Sequence, residues 1–291
     1  MQDMNTSPAG ERLARWARLA WDEAPRLCAS ETGCSNYHRC WSLVRLLGSD
    51  GALPNSSDFF IRELVRLVRT GARRVLFSGA ADTGLLALGV LAAREAGVPL
   101  QFVVADRCET PLMQNRIYAQ EQGLEVEFHR GDITALACEP ADVLIGHSFL
   151  LFFPEPERQR VIDTWARLVK PGGHVLMFGH VVEHDHDVMM QFDENSIEER
   201  VRKLCEAALG AGWREDERGE LQAALRRFWL DWRAFQPSPS VTASNLRLGF
   251  AKAGFEVLQL EPLEASRDDG PIGVGSRLSA NRAELVARRR A

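Results

Sequence analysis

The chain has 291 residues, 45% of them hydrophobic and 26% charged, with a formal net charge of −5. That size supports one large core, or a core with a smaller cap. The acidic balance, with no basic block except the closing "ARRRA", argues against a surface built for nucleic-acid phosphates, and no apolar run is long enough for a membrane span.

Residues 1 to about 72 read as helices. "GERLARWARLAWDEA" places Leu13, Trp16, Leu19 and Ala20 at helical spacing. "SNYHRCWSLVRLLG" follows, with Ser35 or Asn36 able to cap it. "NSSDFFIRELVRLVRTG" is a third amphipathic helix, capped by Ser57 or Asp58 and stopped at Gly71. From Arg73 onward, apolar runs of strand length alternate with helices. "RVLFSG" is a strand, and the turn after it opens the helix "LLALGVLAAREAG". "LQFVVADR", "LEVEFHRGD" and "ADVLIGHSFLLFF" continue the strands, with "TPLMQNRIYAQEQG" a helix between the first two. "EPERQRVIDTWARLV" is a helix, and "KPGGHVLMFGHV" a turn and fifth strand. This alternation, with strands apolar throughout, predicts a parallel sheet covered on both faces. Residues 183–240 break the rhythm as a Trp- and Phe-rich helical insertion. It resumes with the helix "VTASNLRLGFAKAG" and the strands "FEVLQLEPL" and "AELVARR", joined by the Gly-rich loop "SRDDGPIGVGSRLS".

Seven strands in this order, closed by an antiparallel pair, resemble the class I S-adenosylmethionine (SAM)-dependent methyltransferases. The similarity covers residues 73–182 and 241–291 and is carried most strongly by "PADVLIGHSFLLFFPEPERQRVIDTWARLVKPGGHVLMFGHV". Within it, Val169-Lys170-Pro171-Gly172-Gly173 is similar to the family's Leu-x-Pro-Gly-Gly turn. The resemblance implies an α/β fold: a seven-stranded Rossmann-like methyltransferase sheet with helices on both faces. Residues 1–72 would be an N-terminal helical cap and residues 183–240 a substrate lid. SAM would be the cosubstrate.

The turn Gly79-Ala80-Ala81-Asp82-Thr83-Gly84 has only two of the glycines of a G-x-G-x-x-G pattern. Gly79 and Gly84 let the backbone approach a ligand. The resemblance places Gly79, Ala80, Asp82 and Gly84 under the methionine part of SAM, with Asp82 facing its ammonium group. The alternative is a plain turn capped by Asp82 or Thr83. Asp106 ends the second strand about 20 residues beyond the turn, where a carboxylate can accept from both ribose hydroxyls. Arg107 and Cys108 could flank the adenine, although an acidic-then-apolar pair is commoner in the family. The resemblance assigns Asp132 and Ile133 of "HRGDIT" to the adenine edge; a helix cap is the alternative for Asp132.

His147 and Ser148 follow Gly146 at the exit of the fourth strand, beside the implied sulfonium. His147 and His180 end core strands on the ligand side and are the candidates for a catalytic or substrate-binding histidine. Tyr37, with His38 and Trp41, could line the site from a lid, where aromatic faces favour a sulfonium. Trp41, Phe228, Trp229 and Trp232 at helical spacing could equally be cap core. "EHDHD", residues 183–187, reads as a solvated charge run rather than a cation site. The cysteines are Cys28, Cys34, Cys40, Cys108, Cys138 and Cys205. Cys28, Cys34 and Cys40 lie near His38, but without a Cys-x-x-Cys knuckle, so plain reduced thiols are expected and no metal is assigned.

The expectation is a cytoplasmic SAM-dependent methyltransferase acting on a small-molecule acceptor of specialised metabolism, without nucleic-acid or membrane partners. No Asn/Asp-Pro-Pro-Tyr/Phe motif follows the fourth strand, which disfavours a nucleobase acceptor. Three alternatives stand beside it. One is a SAM-utilising enzyme that releases methylthioadenosine by cyclisation or aminocarboxypropyl transfer. Another is an NAD(P)-dependent dehydrogenase, disfavoured by the missing middle glycine. The third is a catalytically silent SAM-fold binding protein, whose Trp-rich helices could form a homodimer interface.

Overall fold

Alternation along the strands decides which layer each core residue meets, because successive side chains leave opposite faces. The computed structural model describes residues 8–28, 33–46, 52–181, 193–234, 241–263 and 281–291. Its strands are β1 (Arg74–Ser78), β2 (Gln101–Asp106), β3 (Val126–Arg130), β4 (Ala141–His147), β5 (Val169–Val181), β6 (Phe255–Leu263) and β7 (Asn281–Arg289). They form one sheet in the order β3-β2-β1-β4-β5-β7-β6. β1 to β5 pair in parallel, and β7 lies antiparallel between β5 and β6.

The helices are α1 (Pro8–Leu27), α2 (Ser35–Leu46), α3 (Ala52–Arg69), α4 (Gly84–Ala96), α5 (Glu109–Glu121), α6 (Glu157–Leu168), α7 (Glu194–Gly210), α8 (Arg218–Ala234) and α9 (Ala243–Lys252). Phe77, Val104, Ile145 and Phe178 pack with Phe59, Phe60 and Leu64 of α3 and Leu85 and Leu86 of α4. Their neighbours Leu76, Val103, Leu144 and Met177 pack on the other face with Val161, Ile162 and Trp165 of α6 and Leu246 and Phe250 of α9. A separate helical core joins Trp21, Leu43 and Val44 of α1 and α2 to Ile197, Leu204, Leu225 and Phe228 of α7 and α8. The first two helices thus pack on the insertion, while α3 packs on the sheet.

Two expected details change. α3 begins at Ala52, so Ser57 and Asp58 lie inside it and do not cap it. Its end is as expected: Gly71 N–H reaches the Val68 carbonyl at 3.1 Å and Ala72 N–H the Leu67 carbonyl at 3.0 Å. The Val169–Gly173 segment is already part of β5, with a register shift between Ala141 and Val143 opposite it. Gly172 supplies a φ of 78° there. The "EHDHD" run and the loop between β6 and β7 lie outside the described residues. Among the described residues no helix is long and apolar enough to cross a membrane.

The order reverses between β1 and β4. In an open α/β sheet that switch point opens a crevice beyond the carboxyl ends of the strands. Asp106 and His147 end β2 and β4, and His180 lies next to the end of β5, so all three share this edge.

Candidate active site

The first wall is the β1–α4 turn. Gly79 leaves β1 with φ 74°, and its N–H donates to the Ala105 carbonyl at 2.9 Å. A Cβ there would stand 2.2 Å from Cδ2 of Phe149. Glycine therefore lets an aromatic ring from the β4 exit lie directly on the turn. Phe149 in turn stacks on the buried Trp165, at 6.2 Å between centroids, and Trp165 Nε1 donates to Ser78 Oγ at 3.0 Å. Ala80 is buried.

Asp82 is the hub of the turn. Its Oδ1 accepts from Gly84 N–H at 2.7 Å, which fixes the start of α4. Its Oδ2 accepts from Trp41 Nε1 at 3.0 Å and from the Arg45 guanidinium. Burial alone would raise its pKa, but Arg45, Gly84 and Trp41 together hold the carboxyl below the usual carboxylate range. Asn115 of α5 donates to the Asp82 carbonyl at 3.0 Å. Asp82 thus caps the turn, as the plainer expectation held, and also fastens α2 over it.

The second wall is the end of β2. Asp106 accepts from Cys108 N–H at 2.7 Å through Oδ1. Burial pushes its carboxyl up, against the opposing pull of His38 and Arg107. A desolvated carboxylate at this position gains most from hydroxyl donors. Arg107 is exposed, whereas Cys108 is buried. Beyond β3, Asp132 accepts from the N–H and the Oγ1 of Thr134, each at 2.7 Å. These bonds hold its carboxyl low, as a cap of the short 3₁₀ turn Ile133–Ala135. Ile133 is buried.

The third wall comes from β4 and β5. His147 stacks on Phe178 at 5.6 Å and 14°. Ser148 carries a φ of 48°, unusual for a residue with a side chain, and its N–H donates to the Phe178 carbonyl at 2.6 Å. His180 Nδ1 is buried without a hydrogen-bond partner. Burial, then Arg282 and His147, pull its pKa down to about 3. His180 is therefore a neutral imidazole near pH 7 and a weak base.

Tyr37 closes the arrangement from α2. It stacks on Trp41 at 5.6 Å and on Phe228 of α8 at 6.0 Å, and meets Phe152 of the β4 exit edge-on at 6.2 Å. Trp229 is buried in the helical core, so Phe228 and Trp229 serve that core. The side chain of Trp232 lies outside the described residues. Arg45, Asn115 and Phe149 were missed by sequence reasoning. Arg45 lies one helical turn beyond Trp41, which was the only signal that could have found it.

Residues 83–173 match the family model described as a methyltransferase domain. No curated protein sequence matches the chain. Among solved structures, one from Galdieria sulphuraria, named for sarcosine dimethylglycine methyl transfer, superposes with a TM-score of 0.51 at 13% identity. The alignment covers 81% of this chain and 86% of that one. The magnesium protoporphyrin IX methyltransferase of Synechocystis, with S-adenosylhomocysteine (SAH) bound, aligns at 13% identity over 80% of this chain and 83% of that one, TM-score 0.47. The [4+2]-cyclase SpnF aligns at 16% identity over 79% and 81%, TM-score 0.48. The Galdieria structure shows that the fold is shared.

Proposed function

We propose that this chain, whose residues 83–173 match a methyltransferase domain, is a class I SAM-dependent transferase that passes the methyl group of SAM to a small-molecule acceptor. In this reading the acceptor lies between the exits of β4 and β5 and the aromatic lid of α2 and α8. The observation that carries it is the convergence of Asp106, the Gly79–Gly84 turn, His147 and His180 on one edge of the sheet at its switch point.

SAM supplies an activated methyl on a sulfonium, so the protein's task is binding, orientation and exclusion of water. The half-buried Asp106 carboxylate is suited to the ribose hydroxyls, because one of its oxygens is already oriented by Cys108 N–H. Asp82 is already met by three donors, Gly84, Trp41 and Arg45. Its part is to hold the turn and α2 in place, and any contact to the ammonium group adds to those bonds. Tyr37, stacked on Trp41, meets Phe152 of the β4 exit edge-on, which brings aromatic rings to the side where a sulfonium is favoured. His180, neutral and with Nδ1 unpartnered, is suited to hydrogen-bond the acceptor rather than to take its proton.

The test is incubation with SAM and a panel of small hydroxyl, amine and thiol acceptors, with chromatographic detection of the nucleoside product. SAH with a methylated acceptor supports the proposal. Methylthioadenosine instead would move the chain to the non-methylating class.

A further inference from the structure

Sequence spacing gave no reason to group Cys108 with the N-terminal cysteines. Folding does so. Cys28 follows α1, Cys34 precedes α2, His38 lies in the first turn of α2, and Cys108 sits between β2 and α5. Their ligand atoms all lie within 4.8 Å of one another, and all four residues are buried. Cys34 Sγ is 2.7 Å from Cys108 Sγ, and Cys28 Sγ is 3.2 Å from Thr110 Oγ1. His38 Nδ1 is buried without a hydrogen-bond partner. Ala24 packs against the three sulfurs, and Cys40 belongs to a different cluster.

We propose that Cys28, Cys34, His38 and Cys108 form a structural zinc site. Three thiolates and one imidazole are among the closed tetrahedral sets that zinc takes. With Zn–S bonds of about 2.3 Å, tetrahedral thiolates stand about 3.8 Å apart. A group gathered within 4.8 Å needs only small side-chain rotations to reach that spacing. An iron–sulfur cluster places irons and sulfides between its thiolates and needs a wider cage. Binding releases the thiol protons, and three thiolates with a neutral imidazole leave a net charge of −1 around the ion.

The position gives the ion a task. It ties the α1–α2 corner to the residue two places beyond Asp106, while Arg45 at the far end of α2 holds Asp82. α2 is then fixed at both ends above the two carboxylates of the cofactor edge, with Tyr37 next to a metal ligand. The site is independent of the acceptor and of the methyl-transfer reading, because its test counts metal.

The experiment uses the full chain without a polyhistidine tag, produced in zinc-supplemented medium and purified under reducing conditions. Elemental analysis is expected to give about one zinc per chain. After chelation and reloading with cobalt(II), the spectrum is expected to show thiolate-to-cobalt charge transfer and the intense d–d bands of tetrahedral coordination. Cys108→Ser and Cys34→Ala are expected to lose the ion, and Cys138→Ser, outside the cluster, to keep it. Should those variants fail to fold, the wild-type metal count and cobalt spectrum still decide. A folded, reduced wild type that carries no stoichiometric zinc and takes up no tetrahedral cobalt would overturn the proposal. So would a Cys34–Cys108 disulfide whose reduction restores no metal binding.

Discussion

The Asp82 carboxylate accepts from the Arg45 guanidinium across 37 positions of sequence, with side chains only 10% and 17% exposed. This pair links the β1–α4 turn to α2. Removing one partner of a buried ion pair leaves the other charge uncompensated, at a cost of about 3–5 kcal/mol. Arg45→Met is expected to destabilise the protein by about 3 kcal/mol in urea unfolding. It is also expected to weaken SAM binding. Since the folded Asp82 pKa is depressed, its stabilisation is present above the unfolded value of about 3.9 and is lost as pH falls below it. The wild-type and Arg45→Met unfolding curves should therefore converge as pH falls below about 4 and through the depressed folded pKa of Asp82. Equal stability at neutral pH would remove the pair from the account.

Asp106 behaves in the opposite sense. Burial raises its pKa, so its charged form is reached at a higher pH than for an ordinary aspartate. SAM affinity is expected to rise with pH through that raised pKa, because only the carboxylate accepts from both hydroxyls. Asp106→Asn keeps the shape but loses the charge, and hydrogen bonds to charged groups contribute about 1.5–3 kcal/mol. A loss of about 10- to 100-fold in affinity is expected by calorimetry. An unchanged affinity would place the ribose elsewhere.

Gly79 and Phe149 give a steric test. Gly79→Ala puts a Cβ into the Phe149 ring and asks alanine for a φ of 74°. The backbone alone costs about 1–2 kcal/mol. Adding Phe149→Ala should return the steric part and leave the backbone part, which a double-mutant cycle in unfolding free energy measures. Strict additivity would mean that ring and turn do not meet.

His180 is neutral above about pH 4, given its pKa of about 3. His180→Ala is expected to raise KM for the acceptor by up to about tenfold, the range of one neutral hydrogen bond. The shape of the pH profile should stay that of the wild type. Loss of an acid limb near neutrality in this variant would restore His180 as a base.

Much of the fold could be read from periodicity. The runs that became β1, β2 and β4 are short and mostly apolar, and the Gly and Pro positions between the elements mark their ends. What sequence could not supply were the pairings that cross the chain. Asp82 announces a turn residue through its place among glycines, yet its partner Arg45 looks like any helix-surface arginine. Cys28, Cys34 and His38 lack knuckle spacing because a ligand set need not be local: Cys108 arrives 74 positions from Cys34. The start of α3 was misplaced because Ser57 and Asp58 are good caps by type, while Pro54 in the first turn of the actual helix is equally admissible. His180 shows the same limit, since only packing reveals that its imidazole is desolvated.

The most direct measurement is calorimetric titration of the wild type and Asp106→Ala with SAM, SAH and NAD. The account expects SAM and SAH to bind the wild type, Asp106→Ala to lose most of that affinity, and NAD to give no heat. Binding of NAD, or a folded protein that takes neither SAM nor SAH, would contradict it.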